Sequence, residues 1–144
     1  MTVGPLDTLC VWVCIKKGSA PKAEGSAPKE IMVQFNDGTG NDGGWGHRAY
    51  WGDNVISFGT DGTASRRRMG DLPGETTWRL LEIPASQVGL ERSSVVTGVS
   101  FDHAGGTVHW GDAYIRRAVV PPVHLDGVDV LWTLFASPEF QYVK

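Results

Sequence analysis

Short segments of alternating apolar and polar residues, separated by turns rich in glycine, asparagine and proline, recur about every ten residues along the chain. Alternation with a period of two is typical of strands that bury one face. The candidate strands are residues 8–15, 30–35, 45–51, 55–58, 77–83, 95–101 and 107–115. The 19 glycines and eight prolines also favour many short strands over long helices. The pattern predicts an all-β protein, an antiparallel jelly-roll β-sandwich.

The last part of the chain has a different pattern. Apolar residues within 126–136 follow helical spacing and Pro138 ends the run, which predicts a short amphipathic C-terminal helix. A length of 144 residues suits one domain of ordinary size. We therefore expect a β-sandwich module over residues 1–117, followed by a linker and helical tail over residues 118–144.

Composition argues against two kinds of partner. The net charge is −3 and no basic block is longer than residues 66–68, so we expect no nucleic-acid partner. No long apolar stretch is present, so we expect no insertion into a membrane. The first residues lack the features of a signal peptide. Such a start fits a cytosolic protein or a piece of a longer one, and we favour the second.

The segment richest in aromatic residues lies between two glycine-rich turns and is Trp-Gly-His-Arg-Ala-Tyr-Trp, residues 45–51. In an extended strand, one face carries Trp45, His47, Ala49 and Trp51, and the other carries Arg48 and Tyr50. Aromatic faces with a few polar groups pack in a core or stack on the apolar face of a sugar ring. If one face is core, the other is exposed and free to bind a ligand.

The candidate ligand-binding residues come from this strand, from the turn directly after it and from strand 107–115. We predict that Trp45, Trp51 and Trp110 stack on the ligand and that His47, Arg48, Tyr50 and Asp53 contact its hydroxyl groups. Aromatic rings supply apolar area, and the polar groups fix orientation.

Asp112 is the candidate metal ligand, because a carboxylate among aromatic residues needs a cation, an arginine or backbone donors. It can coordinate calcium together with Asp7 or backbone carbonyls, or it can pair with Arg48 or Arg68. Within the arginine run 66–68, alternation sends the middle residue away from its neighbours. One arginine turned toward the sandwich can clamp Asp112 or a uronic acid of a ligand.

Six separated motifs occur in order: residues 30–38, 45–52, 68–73, 78 with 81–85, 88–90 and 105–112. In this order they resemble a lectin-like β-sandwich module of planctomycete-type secreted proteins, which also carry cytochrome-c-like domains. The resemblance covers about residues 1–117 and implies an extracellular or periplasmic module that handles polysaccharides. The tail resembles the closing helix of the domain that usually follows. The layout is also similar to jelly-roll carbohydrate-binding modules, which implies a structural calcium near the last strand.

Three functional hypotheses follow. The first is non-catalytic binding of a polysaccharide or oligosaccharide by aromatic stacking, with no cofactor required. The second is a structural or interaction domain that packs against neighbouring domains of a secreted assembly. The third is a small polysaccharide hydrolase or lyase that uses His47 or Tyr50 as a base. No nucleophile elbow, phosphate loop or dinucleotide fingerprint supports catalysis.

Overall fold

The computed structural model describes residues 1–16, 27–40, 42–90 and 94–119. Within those ranges the regular elements are strands, apart from one 3₁₀ turn at Ala85–Val88, and turns and loops make up the rest. The strands are β1 Thr2–Val3, β2 Thr8–Ile15, β3 Glu30–Asn36, β4 His47–Gly52, β5 Arg67–Gly70, β6 Arg79–Pro84, β7 Ser94–Val95, β8 Gly98–Ala104 and β9 Val108–Arg116. The all-β class predicted from alternation is confirmed.

Two sheets share one hydrophobic core, so the fold resembles a β-sandwich. One sheet has the strand order β6-β2-β9 and the other β5-β4-β3-β8, and β1 pairs with β7 in a short ribbon. Alternate residues of the central strands meet in the core: Leu9, Val11 and Val13 from β2, and Ile31, Val33 and Phe35 from β3. The opposite phase of each strand faces outward, where the two sheets form separate outer surfaces.

The fold departs from the predicted antiparallel arrangement at one edge. β5 runs parallel to β4, because the loop of residues 53–66 carries the chain back across the sheet first. The predicted strand 55–58 is absent, since two of its backbone N–H groups bind the Glu30 side chain instead of a strand. The jelly-roll topology stays a prediction. The predicted helix 126–136 lies outside the described residues.

Both faces of β4 are buried, which corrects the expectation that one of them is exposed. Trp51 faces the shared core and is 8% exposed. Arg48 and Tyr50 point outward, but the 53–66 loop covers them, and the Tyr50 hydroxyl donates to Asp61 at 2.7 Å. Alternation shows to which side a residue points, whereas a long loop decides whether that side meets water.

A buried ion pair holds the 53–66 loop on the sheet. Arg66 donates to Glu30 at 2.8 Å, and these residues are 2% and 0% exposed. The other Glu30 oxygen accepts the backbone N–H groups of Val55 and Ile56, each at 2.7 Å. One arginine of the run therefore does turn inward, but the carboxylate that it clamps is Glu30 rather than the predicted Asp112.

Candidate functional site

A groove of about 320 Å³ lies on the outer face of the four-stranded sheet, beside the 53–66 loop. Its lining consists of Gln34, Asp42, Trp45, Arg48, Phe58, Ser100 and Asp102. The volume lies within the range of small-molecule sites, about 300–1,000 Å³. Two aromatic rings and five polar or charged side chains give the groove both apolar and hydrogen-bonding surface.

A chain of hydrogen bonds crosses three strands and forms the floor of the groove. Arg48 Nε donates to Gln34 Oε1 at 2.6 Å, and Gln34 Nε2 donates to Asp102 Oδ2 at 2.6 Å. Ser100 Oγ donates to the same Asp102 oxygen at 3.3 Å. The strand register causes this arrangement, because Gln34 on β3 lies opposite Arg48 on β4 and Ser100 on β8. Each side chain is thus held in a fixed orientation.

All three side-chain nitrogens of Arg48 donate hydrogen bonds to other groups of the protein. Besides Gln34, it donates to Asp42 and to the carbonyl of Ser65, both at 3.1 Å. It is 6% exposed, and its guanidinium carbon lies 6.0 Å from the centre of the Phe58 ring. The two groove carboxylates keep free acceptor lone pairs. The groove therefore offers a ligand oxygen acceptors and aromatic rings more than a free cation.

Trp45 forms one wall of the groove and precedes β4 instead of lying within it. Asn36 shapes the turn that delivers it: its Oδ1 accepts from Gly38 N at 2.9 Å and its Nδ2 donates to the carbonyl of Gly43 at 2.8 Å. The indole lies against Gly98, where a Cβ atom would come within 3.3 Å of the ring. Trp45 consequently does not share a face with Trp51, which lies in β4.

Phe58 forms another part of the lining and is carried by the 53–66 loop. The next residue, Gly59, has a φ of 75°, in the left-handed region that favours glycine. A Cβ atom at this glycine would lie 2.1 Å from the carbonyl oxygen of Ser65. The loop can therefore double back beside the groove only with glycine at this position.

Two of the predicted contact residues, His47 and Trp51, lie on the core side of β4. Trp51 packs in the core. The His47 ring nitrogens lie 2.6 Å from the Val88 carbonyl and 3.1 Å from the Asp37 carboxylate. Burial works against the charged form of Asp37, but hydrogen bonds from Thr39 and the nearby His47 outweigh it and lower the pKa of that carboxyl. Neither His47 nor Trp51 lines the groove.

The other predicted contact residues, Tyr50, Asp53 and Trp110, also lie outside the groove lining. Trp110 stacks on Phe101 with ring centres 4.8 Å apart and packs against the core. Asp53 is exposed directly after β4. Burial raises the pKa of the Tyr50 hydroxyl, and the Asp61 carboxylate beside it raises the pKa further. The Tyr50 hydroxyl therefore stays protonated at neutral pH, which does not suit a general base.

Five groove residues were not predicted from the sequence: Gln34, Asp42, Phe58, Ser100 and Asp102. Three of them carry a signal, since Gln34, Ser100 and Asp102 are polar residues on the phase opposite to the apolar residues of β3 and β8. Such positions mark the outer face of a sheet. Asp42 and Phe58 lie in irregular loops, where alternation gives no information.

The predicted calcium ligands Asp7 and Asp112 are not brought together. Asp7 accepts hydrogen bonds from the N–H groups of Gly4 and Ala118, at 2.8 and 3.1 Å, and from Arg117 at 2.5 Å. The groups around the Asp7 carboxylate are therefore N–H donors, whereas calcium would need further oxygen ligands at those positions. Asp112 lies five residues before Arg117, about 17 Å along an extended chain. Within the described ranges, no group of three or more histidine, cysteine, aspartate or glutamate residues is arranged to hold a metal.

The predicted arginine partners of Asp112 bind other carboxylates. Arg48 pairs with Asp42 at 3.1 Å, and Arg68 pairs with Asp71 at 2.8 Å. Asp112 itself is exposed on the outer face of the three-stranded sheet. Water can solvate its charge there, so the carboxylate does not require a metal or an arginine.

Acid sensitivity is expected from Asp7. Hydrogen bonds from Gly4, Ala118 and Arg117 outweigh the effect of burial and hold the pKa of Asp7 below its ordinary value of 3.8. A group whose pKa is lower in the folded state contributes stability that is present above the unfolded pKa and lost as pH falls through the folded pKa. Asp7→Asn should lower stability at pH 7 and flatten the loss of stability as pH falls below about 4.

Urea unfolding at several pH values measures the effect of Asp7→Asn. The surface variant Asp53→Asn is the control, because that residue is exposed in the loop after β4. An acid limb as steep in Asp7→Asn as in the unmodified protein would contradict the role of Asp7.

Comparison of the chain with family models, with curated proteins and with solved structures gives no match. The lectin-like resemblance of residues 1–117 therefore rests on the sequence motifs alone. In the part of the chain that the structure describes, no helix is long and apolar enough to cross a bilayer.

Proposed function

We propose that the groove binds a polysaccharide or oligosaccharide without catalysis, as a jelly-roll carbohydrate-binding module that acts outside the cytoplasm. The observation that carries the proposal is the pairing of aromatic walls, Trp45 and Phe58, with a hydrogen-bonded polar floor. A sugar ring has an apolar C–H face and a rim of hydroxyl groups, so it needs both kinds of surface at once.

The groove residues have distinct roles in this proposal. Trp45 stacks on a sugar ring, and the carboxylates of Asp42 and Asp102 accept hydrogen bonds from its hydroxyl groups. Gln34 and Arg48 act as positioning residues, because their hydrogen bonds hold those carboxylates in place. The groove contains two carboxylates and one guanidinium, and that guanidinium already donates hydrogen bonds to protein groups. The groove therefore favours neutral over acidic glycans.

Trp45→Ala should weaken glycan binding about 30-fold, the effect of removing a central aromatic contact worth about 2 kcal/mol. Titration against a panel of neutral and acidic soluble polysaccharides measures this effect. Trp78→Ala is the matched control, because it removes an exposed tryptophan that directly precedes β6 and lies outside the groove. If Trp45→Ala bound glycan with the affinity of the unmodified protein, the groove would not be the binding site.

The same titration tests the alternative function, a structural domain of a larger assembly. That alternative expects no glycan in the panel to bind. Preferential binding of acidic glycans would contradict the proposed role of Asp42 and Asp102 as acceptors for neutral hydroxyl groups.

A further inference from the structure

A second aromatic surface lies on the outer face of the three-stranded sheet, away from the groove. Trp12 and Trp78 are 37% and 51% exposed. Together with Gly111 and Asp112 they line an open cleft of about 390 Å³ among the described residues. Large apolar side chains exposed side by side are informative, because contiguous apolar patches on soluble proteins commonly mark binding sites.

A β-bulge builds this cleft. The register between β2 and β9 shifts between Val11 and Val13, so Gly111 and Asp112 together lie opposite Trp12. A Cβ atom at Gly111 would lie 3.1 Å from Trp12 Cβ and 3.1 Å from the nearest Trp78 ring atom. The missing side chain thus lets the Trp78 indole lie directly over Gly111, beside Trp12. The extra residue in the bulge places a carboxylate next to both rings.

The cleft is anionic. Asp112 is its one charged lining residue within the described part of the chain, and it takes part in none of the ion pairs seen there. The neighbouring Arg116 pairs with Glu82. Arg79 adjoins Trp78 in sequence, but its guanidinium lies beside Gly74. A negative charge and two indole faces both attract a cation.

We propose that this cleft binds an organic cation, an alkylated ammonium group. The indole faces contact its apolar methyl groups and positive charge, and the Asp112 carboxylate supplies the opposite charge. A sugar fits less well, because apart from the aromatic residues one polar or charged side chain lines the cleft, whereas five line the groove. The proposal is independent of glycan binding, since the two sites lie on different sheets and share no lining residue.

Choline chloride is the probe, and its uncharged isostere 3,3-dimethylbutan-1-ol is the ligand control. Titration of the full chain at constant ionic strength, followed by tryptophan fluorescence and NMR, should show choline binding and at least about tenfold weaker binding of the isostere. Trp78→Ala should weaken choline binding about 3- to 30-fold, and Asp112→Asn should weaken it about 3- to 10-fold. Trp45→Ala and the surface variant Asp71→Asn should leave it unchanged.

Three results would overturn the proposal. The first is no binding of choline to the unmodified protein. The second is equal binding of choline and the isostere, which would make the cleft a merely apolar surface. The third is displacement of choline by an oligosaccharide that itself requires Trp78, which would make the cleft a sugar site. Failure of glycan binding in the groove leaves all of these measurements interpretable.

Discussion

Replacing Arg66 with methionine is expected to lower the free energy of unfolding by about 3–5 kcal/mol, because it leaves a buried carboxylate without its counter-charge. Glu30 has no exposed surface, so water cannot replace the lost guanidinium. The same substitution removes hydrogen bonds to the carbonyls of Ile56 and Phe58 and the cation that lies 4.6 Å from the centre of the Tyr50 ring. Urea unfolding measures the change.

Arg68→Met provides the control for Arg66→Met within the same arginine run. Its partner Asp71 is almost fully exposed and lies three residues along the chain. An exposed pair of this kind contributes about 0–1 kcal/mol. Equal losses of stability in the two variants would show that the buried pair does not hold the 53–66 loop.

Gly59→Ala is expected to have the next largest effect, about 2–5 kcal/mol of lost stability. About 1–2 kcal/mol comes from a left-handed backbone in a residue with a Cβ atom, and overpacking adds about 1–3 kcal/mol. The clash is severe, since the new atom would lie 2.1 Å from the Ser65 carbonyl oxygen and 3.1 Å from Arg48. Glycan binding should fall as well, because relief of the clash moves the groove wall.

Gly62→Ala separates backbone strain from the clash. Gly62 has nearly the same φ, 79°, but a Cβ atom there would have no neighbour within 4 Å. It should therefore lose only the strain component and retain glycan binding. Similar stability losses in the alanine variants of Gly59 and Gly62 would show that the loop does not pack as closely as these distances require.

Much of the strand pattern could be predicted from alternation and from apolar runs bounded by turns. The predicted strand at residues 8–15 matches β2, and the predicted strand at residues 107–115 lies within one residue of β9 at each end. These features depend on neighbours in sequence. β5 could not be predicted from the apolar pattern. Two of its four residues are arginines, and its parallel pairing with β4 depends on the path of the 53–66 loop between them.

The candidate site was harder to predict than the strands. Arg48 and Trp45 were identified, but the partner of Arg48 on β3, Gln34, lies 14 residues away and Asp102 lies on β8. Which polar residues of different strands meet depends on register and strand order, which a single sequence does not specify. The exposure of Trp12 could not be predicted either. β2 is almost continuously apolar, so its sequence resembles that of a strand buried on both faces.

The strand order also affects how the chain is made. β2 lies between β6 and β9, although it begins at residue 8 and β9 begins at residue 108. At about 5–20 residues per second, a ribosome needs roughly 5–20 s to produce the second partner after the first long strand is complete. During that interval the uncharged run Leu9–Ile15 has exposed edges and the composition of an aggregation-prone segment. Until β9 emerges, the edge of β2 that pairs with it therefore lacks a partner strand.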